Sequence, residues 1–215
     1  NNPSSLFYVD FNGTVLEQSS NSSISSLAGI EYNSENKLFG TECLVCDGTT
    51  NIQYSNVVFP NQFTLDCFVR FTTTASGRTI VLAEKNGVFS LIKTSANNLE
   101  VGVNGATIIT TPWNPVNNAW QHIWVQKSAT TLHLRVNSSD INITAAYSTA
   151  TAINTNLFSV CTNVLGLCNG VYIQSGSSST FSPFTQPTPK KRYSWGNISF
   201  YEWIESGFAQ FKQYF

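Results

Sequence analysis

The chain has 215 residues, of which 11% are charged and 13% aromatic, and its formal net charge is −1. That near-neutral balance lacks the basic footprint of a nucleic-acid binder, and no apolar run approaches the ~18 residues of a membrane span. The surface must be polar through Ser, Thr and Asn rather than through charge, which suits an extracellular or virion protein better than a cytosolic enzyme.

Alternation of apolar and polar residues predicts strands at 6–10, 52–59, 64–71, 79–84, 88–93, 99–103, 106–111, 120–127, 131–136, 141–144, 164–167, 171–174 and 198–204. In the third of these Leu65, Cys67, Val69 and Phe71 share one face and are expected in the core. Tyr32-Asn33-Ser34 reads as a turn. Asn86-Gly87 and Asn104-Gly105 supply the positive φ that tight hairpins need. The segment 176–194 is one long irregular loop, and 206–215 has the composition for a helical turn or two. Many short strands at regular spacing predict a sandwich or barrel, here a single domain over 1–215.

Five cysteines, Cys43, Cys46, Cys67, Cys161 and Cys168, leave an odd thiol in any pairing scheme. Cys43-x-x-Cys46 is half of a zinc motif, but the other three lack that spacing. Cys46 and Cys67 fall where strands want an apolar residue, so small buried hydrophobes are the simpler reading.

The stretch "NAWQHIWVQKSATTLHLRVN", 118–137, holds two tryptophans and both histidines of the chain. Trp120, His122 and Trp124 alternate with Gln121, Ile123 and Val125. After a short turn, Leu132, Leu134 and Val136 alternate with His133 and Arg135. This predicts a hairpin, with His122 as a packed, hydrogen-bonded residue of a sheet.

"W-x-H-I" followed by "L-x-L-x-V-N" resembles the laminin-G-like branch of the concanavalin A-like lectin/glucanase superfamily. "LFYVDFNGTVLEQSS" (6–20), "KLFGTECLVCDG" (37–48), "FTLDCFVRF" (63–71) and "GNISFYEW" (196–203) are similar to successive motifs of that branch. The closing "AQFKQYF" (209–215) resembles the ending of its bacteriophage versions. The resemblance implies a jelly-roll sandwich of two antiparallel sheets, concanavalin A-like, with 6–10 lying near 198–204. Against the family pattern, Cys46 stands for the usual Phe and Ser199 for the usual Asp.

The superfamily includes retaining glucanases, which need two carboxylates ~5–5.5 Å apart. The sequence offers no i,i+2 carboxylate pair, no G-x-S-x-G and no triad context, so a non-enzymatic module is expected and no catalytic residue is assigned. Resemblance would put calcium ligands at Asn12 and Ser199, but both lack the charge Ca²⁺ prefers; no cofactor is expected, with calcium the one candidate. For sugar binding, Trp113 with Asn114 and Asn117 in "TPWNPVNN" could stack and hydrogen-bond a glycan, or Trp113 could pack its loop down. In the loop 176–194, Phe181, Phe184 and Tyr193 among prolines suggest a contact with a neighbouring protein.

The expected function is therefore a virion surface component, either a capsid decoration protein or a fibre or tail adhesin. It would sit in a multi-copy or homo-oligomeric assembly and make protein and glycan contacts. The alternative is a secreted or cell-surface lectin-like glycoprotein, because Asn12, Asn21, Asn137, Asn142 and Asn197 all lie in N-x-S/T sequons.

Overall fold

A computed structural model describes residues 5–16, 22–73, 78–83, 88–137, 140–150, 153–155, 158–161, 164–176, 192–195, 198–201, 204–205 and 208–209. The chain divides into two compact units, 1–184 and 185–215. The described strands of the first are β1 (Ser5–Val9), β2 (Ser23–Ala28), β3 (Glu31–Asn33), β4 (Cys43–Asp47), β5 (Asn51–Ser55), β6 (Val57–Phe59), β7 (Phe63–Phe71), β8 (Arg78–Ala83) and β9 (Phe89–Lys93). They continue with β10 (Asn98–Val103), β11 (Ala106–Pro112), β12 (Trp120–Lys127), β13 (Thr131–Val136), β14 (Ile141–Ala146), β15 (Ile153–Thr155), β16 (Phe158–Val160) and β17 (Leu165–Ser175). Among the described residues there is no helix, and so none long and apolar enough to cross a membrane.

These strands form an all-β jelly-roll sandwich. One sheet has eight strands in the order β14-β13-β12-β7-β17-β4-β3, with β1 also paired to β17; the other has seven in the order β11-β10-β9-β8-β16-β5-β2. All pairings are antiparallel, and many join strands far apart in sequence. The core fills the space between the inner faces. Leu65, Cys67, Val69 and Phe71 of β7 are buried there, as are Leu132, Leu134 and Val136 of β13. From the seven-stranded sheet come Leu91, Leu99 and Val101. Phe7, Phe59, Phe63, Phe89 and Phe158 meet ring to ring at centroid separations of 4.9–5.7 Å.

All five cysteines are buried and free, so Cys46 and Cys67 do act as small apolar fillers. Burial pushes the Cys43 thiol up to about 11, which keeps it protonated and unreactive.

The structure departs from the expected strands in several places. Glu31–Asn33 is strand rather than turn; the turn lies just after it, where Asn33 Oδ1 accepts from the amides of Glu35 (3.0 Å) and Asn36 (2.8 Å). The run 52–59 is interrupted at Asn56, whose φ of 60° bends the chain between β5 and β6. Conversely, 164–167 and 171–174 merge into β17, which absorbs Asn169 as a bulge opposite β7. β1 pairs with β17, and 198–204 falls in the second unit. Asn104 and Gly105 form the expected positive-φ turn, at 51° and 77°, whereas Asn86-Gly87 lies outside the described residues. Asp47-Gly48 is a turn: Asp47 Oδ1 accepts from the amides of Thr49 (2.8 Å) and Thr50 (2.9 Å), and these bonds hold its carboxyl down at about 2.

The described residues of the second unit form two hairpins, β18 (Arg192–Trp195) with β19 (Ile198–Tyr201), and β20 (Ile204–Glu205) with β21 (Phe208–Ala209). The irregular stretch thus gives way to strand before Ser194. A strand also occupies part of the segment expected to turn helically, whose last residues lie outside those described.

Candidate functional site

The outer face of the eight-stranded sheet carries a continuous row of polar and aromatic side chains. Because strand side chains alternate, burial of Leu65 and Cys67 turns Asp66 and Phe68 outward, and burial of Ile123 and Val125 does the same for His122 and Trp124. Register then fixes the order. Tyr8 lies opposite Tyr172, Tyr172 opposite Asp66, Asp66 opposite Trp124, Trp124 opposite Arg135, and Arg135 opposite Asn142. One cross-strand row therefore spans six strands.

Each member is held by neighbours. His122 Nε2 is 2.7 Å from Asp66 Oδ1, and its ring stacks on Phe68 at 4.4 Å and 14°. Tyr8 and Tyr172 stack at 4.8 Å. Gly170 permits this arrangement, since a Cβ there would sit 2.7 Å from the Tyr172 hydroxyl. Burial, then the Tyr8 and Asp10 charges, pushes the Tyr172 phenol well above its ordinary range; burial and Asp10 raise that of Tyr8 as well. Both hydroxyls thus stay protonated donors at neutral pH. At the other end Arg135 lies 5.7 Å over the Trp124 ring and gives its Nε to Asn142 Oδ1 at 3.2 Å, while His133 Nε2 meets the same oxygen at 2.7 Å. His122 and Trp124, each 4% exposed, form the floor. Tyr8, Tyr172, His133 and Arg135 are half-buried, and Asn142 is exposed.

The loop after β3 flanks this face. Asn169 Oδ1, fully buried at the β17 bulge, accepts from the amides of Leu38 (2.6 Å) and Phe39 (3.1 Å). Phe39 meets Phe68 edge-on at 5.4 Å. The Trp120 indole donates to the Asn36 carbonyl at 3.1 Å.

The residues expected to bind sugar or metal are placed differently. Trp113 is only 6% exposed and packs edge-on against Phe71 at 5.8 Å, so it offers no ring face to a sugar. Asn114 and Asn117 remain exposed on the same loop. Asn12 Oδ1 is not open to calcium: it accepts from Thr41 N (2.6 Å), Thr41 Oγ1 (2.7 Å) and Glu42 N (3.1 Å). Ser199 pairs with Ser194 within the β18–β19 hairpin, as Tyr193 pairs with Phe200. Phe181 and Phe184 lie outside the described residues. Among those described, no group of three or more His, Cys, Asp or Glu is arranged to hold a metal. Sequence reading put His122, Trp124, His133 and Arg135 on the two strands of one predicted hairpin, as sheet residues and not as a site. It missed Tyr8, Phe68 and Tyr172, which reach them only through the register of β1, β7 and β17.

No known protein-family model matches the chain, and no curated protein sequence does either. Solved structures share its fold. Domain 4 of AbnA, an extracellular arabinanase of glycoside hydrolase family 43 from Geobacillus stearothermophilus solved with arabinotriose, superposes with a TM-score of 0.65 at 14% identity; the match covers 81% of this chain and 94% of that one. The binding domain of botulinum neurotoxin DC, solved with rat synaptotagmin II, gives 0.64 at 14% identity, covering 82% of this chain and 49% of that one. A structure of botulinum neurotoxin type C, whose passage into cells is described as dependent upon two ganglioside molecules, gives 0.63 at 15% identity with the same coverage. The chain spans about half the length of these toxin binding domains. At such identities the likeness establishes the jelly-roll sandwich fold.

Proposed function

We propose that this chain is a non-enzymatic recognition module that binds carbohydrate on the outer face of its eight-stranded sheet. The observation that carries the reading is the cross-strand row from Tyr8 to Asn142. The half-buried rings of Tyr8, Phe68 and Tyr172, with guanidinium, imidazole and amide groups further along the row, match what a sugar needs: an apolar face to stack on and several donors and acceptors around it. The fold neighbours solved with arabinotriose or described with gangliosides support the same class of ligand. Catalysis fits poorly. Asp66 is engaged by His122, and Asp10 by Tyr8 and the Asn12 amide, so among the described residues no open pair of carboxylates faces the row. His122 and Asp66 resemble two-thirds of a triad, but every cysteine is buried and no serine stands in the row.

With a glycan selected from an array of neutral and sialylated oligosaccharides, Tyr172→Ala and Arg135→Ala should each weaken binding about tenfold or more. Unimpaired binding by both variants, folded by thermal melting, would remove the row from the reading.

We place the module on a virion surface, in the laminin-G-like class with bacteriophage-type endings, as a decoration protein or adhesin present in many copies. The low charge of the chain and its five buried, free thiols support assembly in a reducing cytoplasm. Contacts with neighbouring subunits are assigned to 176–194, where Phe181, Phe184 and Tyr193 lie. Mass spectrometry of purified particles should find the full-length chain and should not find a variant lacking 178–189. Equal incorporation of both would contradict this assignment. A secreted lectin-like glycoprotein is the second reading, favoured by Asn142, an exposed sequon residue.

A further inference from the structure

The outer face of the opposite sheet holds a depression of about 200 Å³ over β9, β10 and β11. Inward burial of Leu91, Leu99 and Val101 turns Ser90, Ile92, Glu100 and Gly102 outward. Ser90 lies opposite Gly102 and Gly102 opposite Thr107; Ile92 lies opposite Glu100. The register of β10 on the edge strand β11 shifts between Val101 and Gly102, an irregularity that locally bends and twists the strand. Gly102 makes room for the Ser90 side chain at the depression's floor, because a Cβ there would come within 2.3 Å of Ser90 Oγ.

The polar groups of this depression are uncommitted. Among the described residues the Glu100 carboxylate is in no ion pair, and neither it nor the Ser90 and Thr107 hydroxyls are bonded to a neighbouring side chain. One carboxylate is too few for a calcium ion, which takes six to eight oxygens, and its charge repels anions. Ile92 supplies a small apolar wall. The volume is below the ~300 Å³ at which pockets for larger ligands begin.

Resting on the carbohydrate reading above, we infer that this depression is a second sugar subsite that takes one neutral monosaccharide unit and rejects sialic acid. Adjacent hydroxyls of the sugar donate to Glu100, Ser90 and Thr107 complete the polar ring, and a C–H face of the pyranose or furanose rests on Ile92.

The test is amide NMR of the whole chain, titrated with neutral methyl glycosides of galactose, mannose and arabinose and with the methyl glycoside of sialic acid. The neutral sugars should shift the amides of Gly102, Gly105 and Ala106 and the sialoside should not. Glu100→Gln should weaken this binding about tenfold or more, and Thr107→Tyr, which fills the depression from the exposed edge strand, should abolish it. The shifts should persist in Tyr172→Ala. The inference is overturned if these amides stay silent, if Glu100→Gln binds as wild type does, or if the sialoside binds there equally. A silent depression beside a row that still binds oligosaccharide refutes only the second subsite; silence at both refutes the carbohydrate reading as well.

Discussion

Gly166→Ala is expected to abolish folding or to cost more than ~4 kcal/mol, the range reserved for substitutions that force backbone to move. Gly166 sits in β17 between two neighbours, opposite Cys46 of β4 and Phe71 of β7. Its φ is +154°, and an added Cβ would lie 1.8 Å from the Arg70 carbonyl oxygen and 3.0 Å from the Phe71 Cα. Neither is the end of a flexible side chain, so two central strands must separate. Gly176→Ala is the control: it too has a positive φ, +87°, but nothing lies within 4 Å of the new Cβ. Its cost should be only the ~1–2 kcal/mol of left-handed backbone. Thermal melting of the two purified variants decides the matter. A Gly166→Ala protein that melts as high as Gly176→Ala would show that β7 and β17 do not approach as described.

Phe71→Ala should destabilise the chain by ~3–5 kcal/mol, the sum of lost transfer energy and an unfilled cavity. For a chain of this size that corresponds to a drop in Tm of roughly 6–20 °C. Phe71 is fully buried at the end of β7, where its ring supports Trp113 and its carbonyl accepts from the Asn118 amide at 2.7 Å. Its loss therefore opens the core and removes the ring on which Trp113 packs, while the backbone bond to Asn118 stays. A melting temperature within a degree or two of wild type would contradict this packing.

The sequence reveals strands where one face is buried and the other wet. In β7 Leu65-Cys67-Val69-Phe71 alternate with Asp66-Phe68-Arg70, in β13 Leu132-Leu134-Val136 alternate with His133-Arg135, and the structure agrees. It hides strands that are short or lack contrast. β2, SISSLA, has few apolar residues to alternate, and the Cys43–Asp47 strand draws the eye to thiols before pattern. Breaks and mergers depend on single residues: Asn56 can adopt positive φ, and Asn169 can fold its side chain inward to bind the Leu38 and Phe39 amides. The site is half legible for the same reason. His122, Trp124, His133 and Arg135 share a hairpin, so local spacing brings them together. Tyr8 and Tyr172 are 164 residues apart in the chain, and only the order of strands makes them neighbours. Trp113 in a Pro/Asn loop is ambiguous until Phe71 is known to lie beneath it.

The most direct test of the central claim is to locate a bound glycan on the molecule. A crystal structure of the whole chain with an array-selected oligosaccharide should show a sugar ring over the Tyr8–Tyr172–Asp66–Trp124–Arg135–Asn142 row, with hydrogen bonds to Tyr172, Arg135 or Asn142. Sugar bound solely at the loop carrying Asn114 and Asn117, with the outer face of the eight-stranded sheet bare, would contradict the account.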